Sequence, residues 1–161
     1  MPEWTVVIPL KPSAVGKSRL GGDAALARAI GLDTVGAARA ATRVARVIVV
    51  TADEALRIEL DAMAGIEVVL EPRPAGIAAA LAAGLAGVED VVARAALLGD
   101  LPGLIPEEFD DALAWAEASD RAFVADAEGS GTSLVTARGG VPFIERFGAG
   151  SAAAHLAAGL V

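Results

Sequence analysis

The sequence contains no cysteine, and it also lacks asparagine, glutamine and tyrosine. Without cysteine the chain can form no disulfide, no thiolate metal site and no cysteine nucleophile. Without side-chain amides, polar recognition has to come from carboxylates, arginine, lysine, hydroxyl groups or the backbone. The single histidine, His155, cannot build a metal site from several histidines.

Positive charge is scarce: 13 lysines and arginines face 21 acidic residues, and the net charge is -8. A protein that coats nucleic acid needs a basic face, so we expect no nucleic-acid partner. No apolar run reaches the roughly 20 residues of a membrane helix, and the first ten residues do not resemble a signal peptide. We therefore expect a cytoplasmic protein without a membrane partner, folded as one domain over residues 1–161.

Short apolar runs alternate with helix-forming segments along the whole chain. The predicted strands are 5–10, 44–51, 67–70, 91–98, 121–125 and 133–137, and helices are predicted over 24–41, 54–63, 77–85, 106–118 and after 151. This alternation predicts an α/β three-layer sandwich with a mostly parallel sheet. Ligands of such sheets bind beyond the carboxyl ends of the strands, so the loops at those ends are the candidate site.

Both lysines of the chain, Lys11 and Lys17, lie in one short segment together with Arg19. The segment follows a predicted strand and precedes a helix, so its cations and backbone N–H groups can converge on phosphate. It is not a Walker A loop, because that motif requires glycine where Lys11 stands. The alternative is an ordinary solvated basic loop, but an acidic chain that concentrates its lysines here favours a triphosphate contact.

Two acidic residues follow predicted strands. Asp100 comes after the apolar run 95–98, and a strand-end carboxylate suits Mg²⁺, which takes one or two such oxygens together with phosphate oxygens. The alternative for Asp100 is a turn or cap residue. Glu71 follows the third strand, and in a chain without amides only a carboxylate can accept from both guanine donors, although a solvated Glu71 is the alternative.

A third cluster combines two glycine-bearing turns, 126–133 and 146–151, near the carboxyl terminus. Such turns can present N–H groups to a small carboxylate or phosphate, and Arg146 can bind an anion through two N–H groups. The alternative is a hairpin turn and an ordinary helix start. His155 is interpreted as a surface residue of the last helix, because no nucleophile elbow accompanies it.

Taken together, these segments resemble the CofC/FbiD guanylyltransferases of deazaflavin coenzyme biosynthesis, which have a GT-A-like nucleotidyltransferase fold. The matching segments are VVIPLKPSAVGKSRL, RVIVVTAD, the EP…G segment before AALAAGL, ALLGDLPGL, FVADAEGSGTSL and RFGAGSAAAH. They span nearly the whole chain in the family's order. The resemblance implies transfer of GMP from GTP to phosphoenolpyruvate or 2-phospho-L-lactate, with release of pyrophosphate, on the way to coenzyme F420.

The resemblance also implies residue roles. The triphosphate contacts would be Lys11, Lys17 and Arg19, and Asp100 would be a Mg²⁺ ligand. Glu71 and Gly76 fall in the segment that corresponds to nucleotide contacts. The acceptor substrate would be held by Thr132, Gly148 and Ser151. An in-line attack by a substrate phosphate oxygen needs no side-chain nucleophile, which agrees with the absence of cysteine and of a catalytic triad.

Two departures from the family pattern stand out. Where the family has Gly-Leu-Asn, this chain has Gly76-Ile-Ala78, which removes one nucleotide contact. The family also continues to an Asp-x-Asp-Thr segment that supplies a second metal carboxylate, and this chain is expected to lack that segment. Asp126 is then the nearest substitute metal ligand.

Several alternatives stay open at this point. The chain could be a related nucleotidyltransferase with another nucleotide or acceptor, or a nucleotide-binding module without catalysis. The Arg-over-Lys, Ala-rich composition is typical of an actinobacterial source, in which the resemblance implies phosphoenolpyruvate. A homo-oligomer is neither indicated nor excluded, because no helix shows an unambiguous extra apolar face.

Overall fold

The computed structural model describes residues 3–11 and 24–161, which form one mixed sheet with helices on both faces. The strands are β1 (Trp4–Leu10), β2 (Val44–Thr51), β3 (Ile66–Leu70), β4 (Ala93–Leu97), β5 (Arg121–Ala125) and β6 (Thr132–Ala137). The helices are α1 (Ala24–Ala40), α2 (Glu54–Asp61), α3 (Ile77–Leu85), α4 (Pro106–Ala116) and α5 (Ser151–Ala157).

The sheet has the strand order β3-β2-β1-β4-β6-β5. Strand β1 lies at its centre and pairs in parallel with both β2 and β4, and β2 pairs in parallel with β3. Strand β6 is antiparallel to both β4 and β5, so it is the one reversed strand of this sheet. The prediction of an α/β sandwich with a mostly parallel sheet is confirmed.

Apolar side chains cover both faces of the sheet. On one face, helices α1, α2 and α4 bury Val35, Leu60 and Phe109 against alternate residues of β1, β2 and β4. On the other face α3 buries Ala80 and Leu81. Because strands buried on both faces have no polar side, they appear in the sequence as continuous apolar runs.

Most predicted boundaries agree with the structure, because local signals define them. Asp53 caps α2 by accepting hydrogen bonds from the N–H groups of Ala55 and Leu56, at 3.0 and 3.1 Å. Pro106 occupies the first turn of α4, where its missing N–H costs nothing. The predicted cap of α1, Asp23, lies outside the described residues.

The fourth strand is shorter than predicted. The prediction covers 91–98, but the strand comprises only Ala93–Leu97. The N–H of Val92 donates to the Glu89 carbonyl in a turn, and Val91 is exposed.

Within the described part of the chain, no helix combines the length and the apolar character needed to cross a bilayer.

Helix α3 approaches the sheet closely through Gly84. A Cβ atom at this position would lie 2.5 Å from Val7 Cγ1 and 2.9 Å from Val50 Cγ2, and both valines are buried. The small residues of this Ala-rich helix therefore allow it to pack close to the sheet.

This close approach predicts opposite effects for two helical glycines. Gly84→Ala should lower the free energy of unfolding by about 1–3 kcal/mol, because the added methyl group overpacks the core. At Gly36 in α1 no atom lies within 4 Å of the position of the new methyl group. Gly36→Ala should therefore raise the free energy of unfolding by up to about 1 kcal/mol. Urea unfolding of the two variants measures both effects, and destabilisation of equal size in both would contradict this packing.

Candidate active site

Two cavities open at the edge of the sheet where the parallel strands end. The first cavity, of about 220 Å³, is formed by the ends of β1 and β4, helix α1, and side chains from α2 and α3. Its polar lining residues are Lys11, Arg28 and Asp100. The second cavity, of about 800 Å³, lies between the end of β4, the β5–β6 hairpin and the start of α5.

The second cavity contains most of the residues predicted from the third sequence cluster. Its lining includes Asp126, Thr132, Gly148 and Ser151. The structure therefore brings together two turns that are separated by twelve residues in the sequence. The apolar side of this cavity is formed by residues such as Leu97, Phe109 and Phe147.

Asp100 lines both cavities. It follows β4 after Leu98 and Gly99, and its side chain is exposed. Gly99 favours a close approach at this point, because a Cβ atom there would overlap the end of the Leu10 side chain at the end of β1. The strand ends can therefore approach each other, and Lys11 and Asp100 line the same cavity, as the sequence predicted.

The other two cations of the lysine segment, Lys17 and Arg19, lie outside the described residues, and their roles stay predictions. Sequence reasoning missed a further cation, Arg28, which lines the first cavity from α1. Its guanidinium donates to Glu59 Oε1 at 2.5 Å and lies 4.0 Å from Asp53 Oδ2. The available signal was an arginine in the first turns of the helix that follows the lysine segment.

The two other predicted nucleotide contacts, Glu71 and Gly76, lie between β3 and α3. The backbone N–H of Glu71 donates to the Thr51 carbonyl at 2.8 Å, and its side chain is half-buried. Gly76 precedes α3 with a φ of 92°, a left-handed value that favours glycine. Neither residue lines either cavity, although Ile77, the next residue after Gly76, lines both.

Asp126 has a carboxylate oxygen that suits a metal ion. Among residues 3–11 and 24–161, its buried Oδ1 atom has no hydrogen-bond partner. Its Oδ2 atom packs so closely on Gly131 that a Cβ atom there would overlap it. Asp100 and Glu108 line the same cavity, so Asp126 is one of three carboxylates there, and Asp100 and Asp126 are a hard oxygen donor pair that fits Mg²⁺ completed by phosphate oxygens. The described residues contain no group of three or more potential metal ligands.

The interpretation of His155 as a surface residue is wrong: its side chain is fully buried. Its Nε2 atom accepts a hydrogen bond from the backbone N–H of Arg146 at 2.8 Å, and its Nδ1 atom lies 2.9 Å from Thr132 Oγ1. The Thr132 hydroxyl is also 2.9 Å from Ser151 Oγ. The sequence hid this burial, because both partners are distant in sequence and the short Ala-rich helix has no clear apolar face.

Arg146 contributes its backbone to this network, whereas its side chain points elsewhere. The guanidinium donates to the neighbouring Glu145 carbonyl at 2.7 Å, and the residue is exposed. Arg146 does not line the second cavity, although Phe147 and Gly148 do. Its predicted contact with an anion stays a prediction.

Solved structures with the same fold include one that holds a nucleotide. The chain is similar to CMP:2-keto-3-deoxy-manno-octonic acid synthetase solved with CTP, with a TM-score of 0.54 at 20% identity over 80% of this chain and 56% of that one. It is also similar to Rv0371c from Mycobacterium tuberculosis, with a TM-score of 0.58 at 22% identity over 85% of this chain and 72% of that one. The fold is that of a GT-A-like nucleotidyltransferase.

Sequence comparison narrows this class. Three similar proteins are named phosphoenolpyruvate guanylyltransferase. They come from Sanguibacter keddieii (41% identical, covering 98% of this chain and 70% of that protein), Thermomonospora curvata (44%, 97% and 72%) and Streptomyces scabiei (44%, 99% and 79%). The model of the MobA-like NTP transferase domain matches residues 16–158. The chain belongs to the MobA-like NTP transferases and, within them, to the phosphoenolpyruvate guanylyltransferase family.

The buried imidazole predicts how stability depends on pH. Burial lowers the pKa of His155, whereas Glu145 and a hydrogen bond with the Ser151 backbone oppose this shift, and the Arg146 guanidinium adds to it. The folded chain therefore resists protonation at pH values where the unfolded chain, with a histidine pKa of about 6.5, already accepts a proton. This contribution to stability is complete above about pH 6.5 and is lost as the pH falls below it.

The measurement is the free energy of unfolding of the wild type and of His155→Gln between about pH 5 and 8. The difference between the two proteins should shrink as the pH falls below about 6.5, because the variant has no imidazole to protonate. A difference that is independent of pH would contradict the prediction.

Proposed function

We propose that this chain transfers GMP from GTP to phosphoenolpyruvate and releases pyrophosphate, as a cytoplasmic step toward coenzyme F420. The name shared by its relatives supports the choice of substrates. The observation that carries the proposal is the position of Asp100 between two cavities. The first cavity is lined by the Lys11 side chain at the end of β1, and the second is lined by hydroxyl and backbone groups suited to a small anion.

The proposed reaction is a displacement at the α-phosphorus of GTP. A phosphate oxygen of phosphoenolpyruvate forms the new P–O bond, and the bond from the α-phosphorus to the bridging oxygen breaks. The leaving pyrophosphate carries away the electron pair. No side chain becomes covalently attached, so the protein has to align two anions and neutralise their charge.

On the nucleotide side, the cations of the lysine segment contact the triphosphate in this proposal. These are Lys11, Lys17 and Arg19. Arg28 lines the same cavity and adds positive charge near it, partly balanced by Glu59. Glu71, after the end of β3, is proposed to contact guanine, and Gly76, just before α3, is proposed to contact the nucleotide.

On the acceptor side, Thr132, Gly148 and Ser151 are proposed to hold phosphoenolpyruvate, whose carboxylate and phosphate require hydrogen-bond donors. Arg146 is proposed as an additional contact from the same loop. Two carboxylates, Asp100 and Asp126, would hold Mg²⁺, which when bound neutralises charge on the transferred and leaving phosphates. Asp100 and Asp126, which line the same cavity, are the residues that would hold this ion.

The direct test is turnover. Purified protein with GTP, Mg²⁺ and phosphoenolpyruvate should release pyrophosphate, and mass spectrometry should detect the guanylylated product. Parallel reactions with 2-phospho-L-lactate, and with CTP, UTP or ATP in place of GTP, define the acceptor and the base. Nucleotide binding without any turnover would favour a non-catalytic module and overturn the proposal.

Asp100→Asn should lower kcat by about 100-fold or more, because a metal carboxylate at the reacting phosphates is lost. The matched control is Asp111→Asn, which removes an exposed carboxylate from α4 that lines neither cavity. The control should retain wild-type activity. Equal activity of the two variants would remove Asp100 from the mechanism.

Asp126→Asn tests the second metal ligand. It should raise the Mg²⁺ concentration needed for half-maximal activity by about tenfold or more, because the orphaned oxygen no longer carries charge. Glu128→Gln, in the same hairpin turn, is the control, since Glu128 is exposed and lines neither cavity. An unchanged Mg²⁺ requirement in Asp126→Asn would show that this carboxylate does not bind the metal.

A further inference from the structure

We infer that His155 is a positioning residue that makes the Thr132–Ser151 hydroxyl pair a hydrogen-bond donor toward the second cavity. Its imidazole does so in the neutral form with the proton on Nδ1. The proton arrangement follows from the fold alone, and its kinetic consequence rests on the proposed function.

The imidazole connects three segments that border the second cavity. Its Nε2 atom is bonded to the backbone of the loop that leads to Phe147 and Gly148, and its Nδ1 atom contacts Thr132 at the start of β6. The ring itself is carried by α5, four residues after Ser151. One side chain therefore links the segments that carry the three groups proposed to bind the acceptor substrate.

The direction of the hydrogen bonds follows from a group that cannot change its role. The backbone N–H of Arg146 can only donate, so the Nε2 atom that it contacts has to carry a lone pair. In neutral imidazole the proton then resides on Nδ1, and Nδ1 donates to Thr132 Oγ1. The tautomer is thus set by the loop backbone.

This tautomer leaves one hydroxyl proton unused. Thr132 and Ser151 bond to each other, and Thr132 Oγ1 already accepts from the imidazole. Whichever of the two hydroxyls donates to the other, one O–H has no partner among the described residues, and both residues line the second cavity. With the proton on Nε2 instead, Nδ1 would accept a hydrogen bond from the Thr132 hydroxyl. Ser151 would donate to Thr132, and the pair would have no O–H left to donate to a ligand. The observed arrangement therefore favours the binding of an anion in the second cavity, because one hydroxyl group is free to donate to it.

The surroundings of the ring hold it in this state. Phe123 and Phe147 pack against the imidazole, with ring centroids 5.4 and 5.5 Å away, and the side chain is fully buried. The charged groups that act on the ring are Glu145 and Arg146, with opposite effects. In a protonated imidazole Nε2 would carry a proton that faces the backbone N–H of Arg146. Protonation in acid would therefore break the hydrogen bond to this loop.

The first experiment determines the tautomer. Since His155 is the only histidine, the ¹⁵N resonances of its ring need no assignment in a uniformly labelled protein with a histidine-free tag. Two-bond ¹H–¹⁵N spectra at neutral pH should show a protonated Nδ1 and an unprotonated Nε2. A proton on Nε2, or a charged imidazole at neutral pH, would overturn the inference, and this readout requires no catalytic activity.

The second experiment separates the two contacts of the ring. In His155→Asn the amide N–H₂ can replace Nδ1 and still donate to Thr132, whereas in His155→Gln the amide oxygen can replace Nε2 but the donor is lost. The KM for phosphoenolpyruvate should rise about tenfold in His155→Gln, the size of one lost hydrogen bond, and less in His155→Asn. The KM for GTP should stay unchanged in both.

Leu156→Gln is the control, because it changes the next, exposed residue of α5 and should leave both KM values as in the wild type. Equal increases of both KM values would indicate a merely structural role and overturn the inference. If the wild type shows no guanylyl transfer at all, the proposed function fails, while the tautomer measurement still decides this proposal.

Discussion

The parallel pairing of β1 with β4 is the constraint on which the site depends. Val6 lies beside Ala95 and Val7 beside Ala96, and Lys11 and Asp100, which follow these two strands, line the same cavity. The close contact of Leu10 with Gly99 lets the two strand ends lie side by side. The backbone hydrogen bonds of the two strands thus bring Lys11 and Asp100 to the same edge of the sheet, so this placement does not depend on a ligand.

Sequence patterns predicted the fold well where local physics decides it. The apolar runs identified the strands, and Asp53 and Pro106 marked helix starts through capping and backbone geometry. The shared cavity of Lys11 and Asp100 followed from the rule for strand ends. His155 and Arg28 could not be placed in this way, because the partners that define their environment come from other elements and leave no local periodicity.

The site combines two kinds of support. Carboxylates and cations at the ends of β1 and β4 supply charge in an exposed position, where solvent screens each individual interaction. The hydroxyl pair and its imidazole are buried, where hydrogen bonds are stronger and their direction is more strictly determined. A chain without asparagine and glutamine thereby obtains oriented donors from hydroxyls and one histidine, which are the neutral polar side chains left to it.

The reversal of β6 has a geometric consequence of its own. A strand parallel to β4 would begin at the opposite edge of the sheet, far from Asp100, whereas the antiparallel strand begins with Thr132 at the same edge where β5 ends next to Asp126. The six residues between β5 and β6, 126–131, form a surface turn whose length can vary without a change in the strands. Insertions there could reshape one wall of the pocket while every strand keeps its neighbours, so this hairpin is where substrate range can diversify independently of the scaffold.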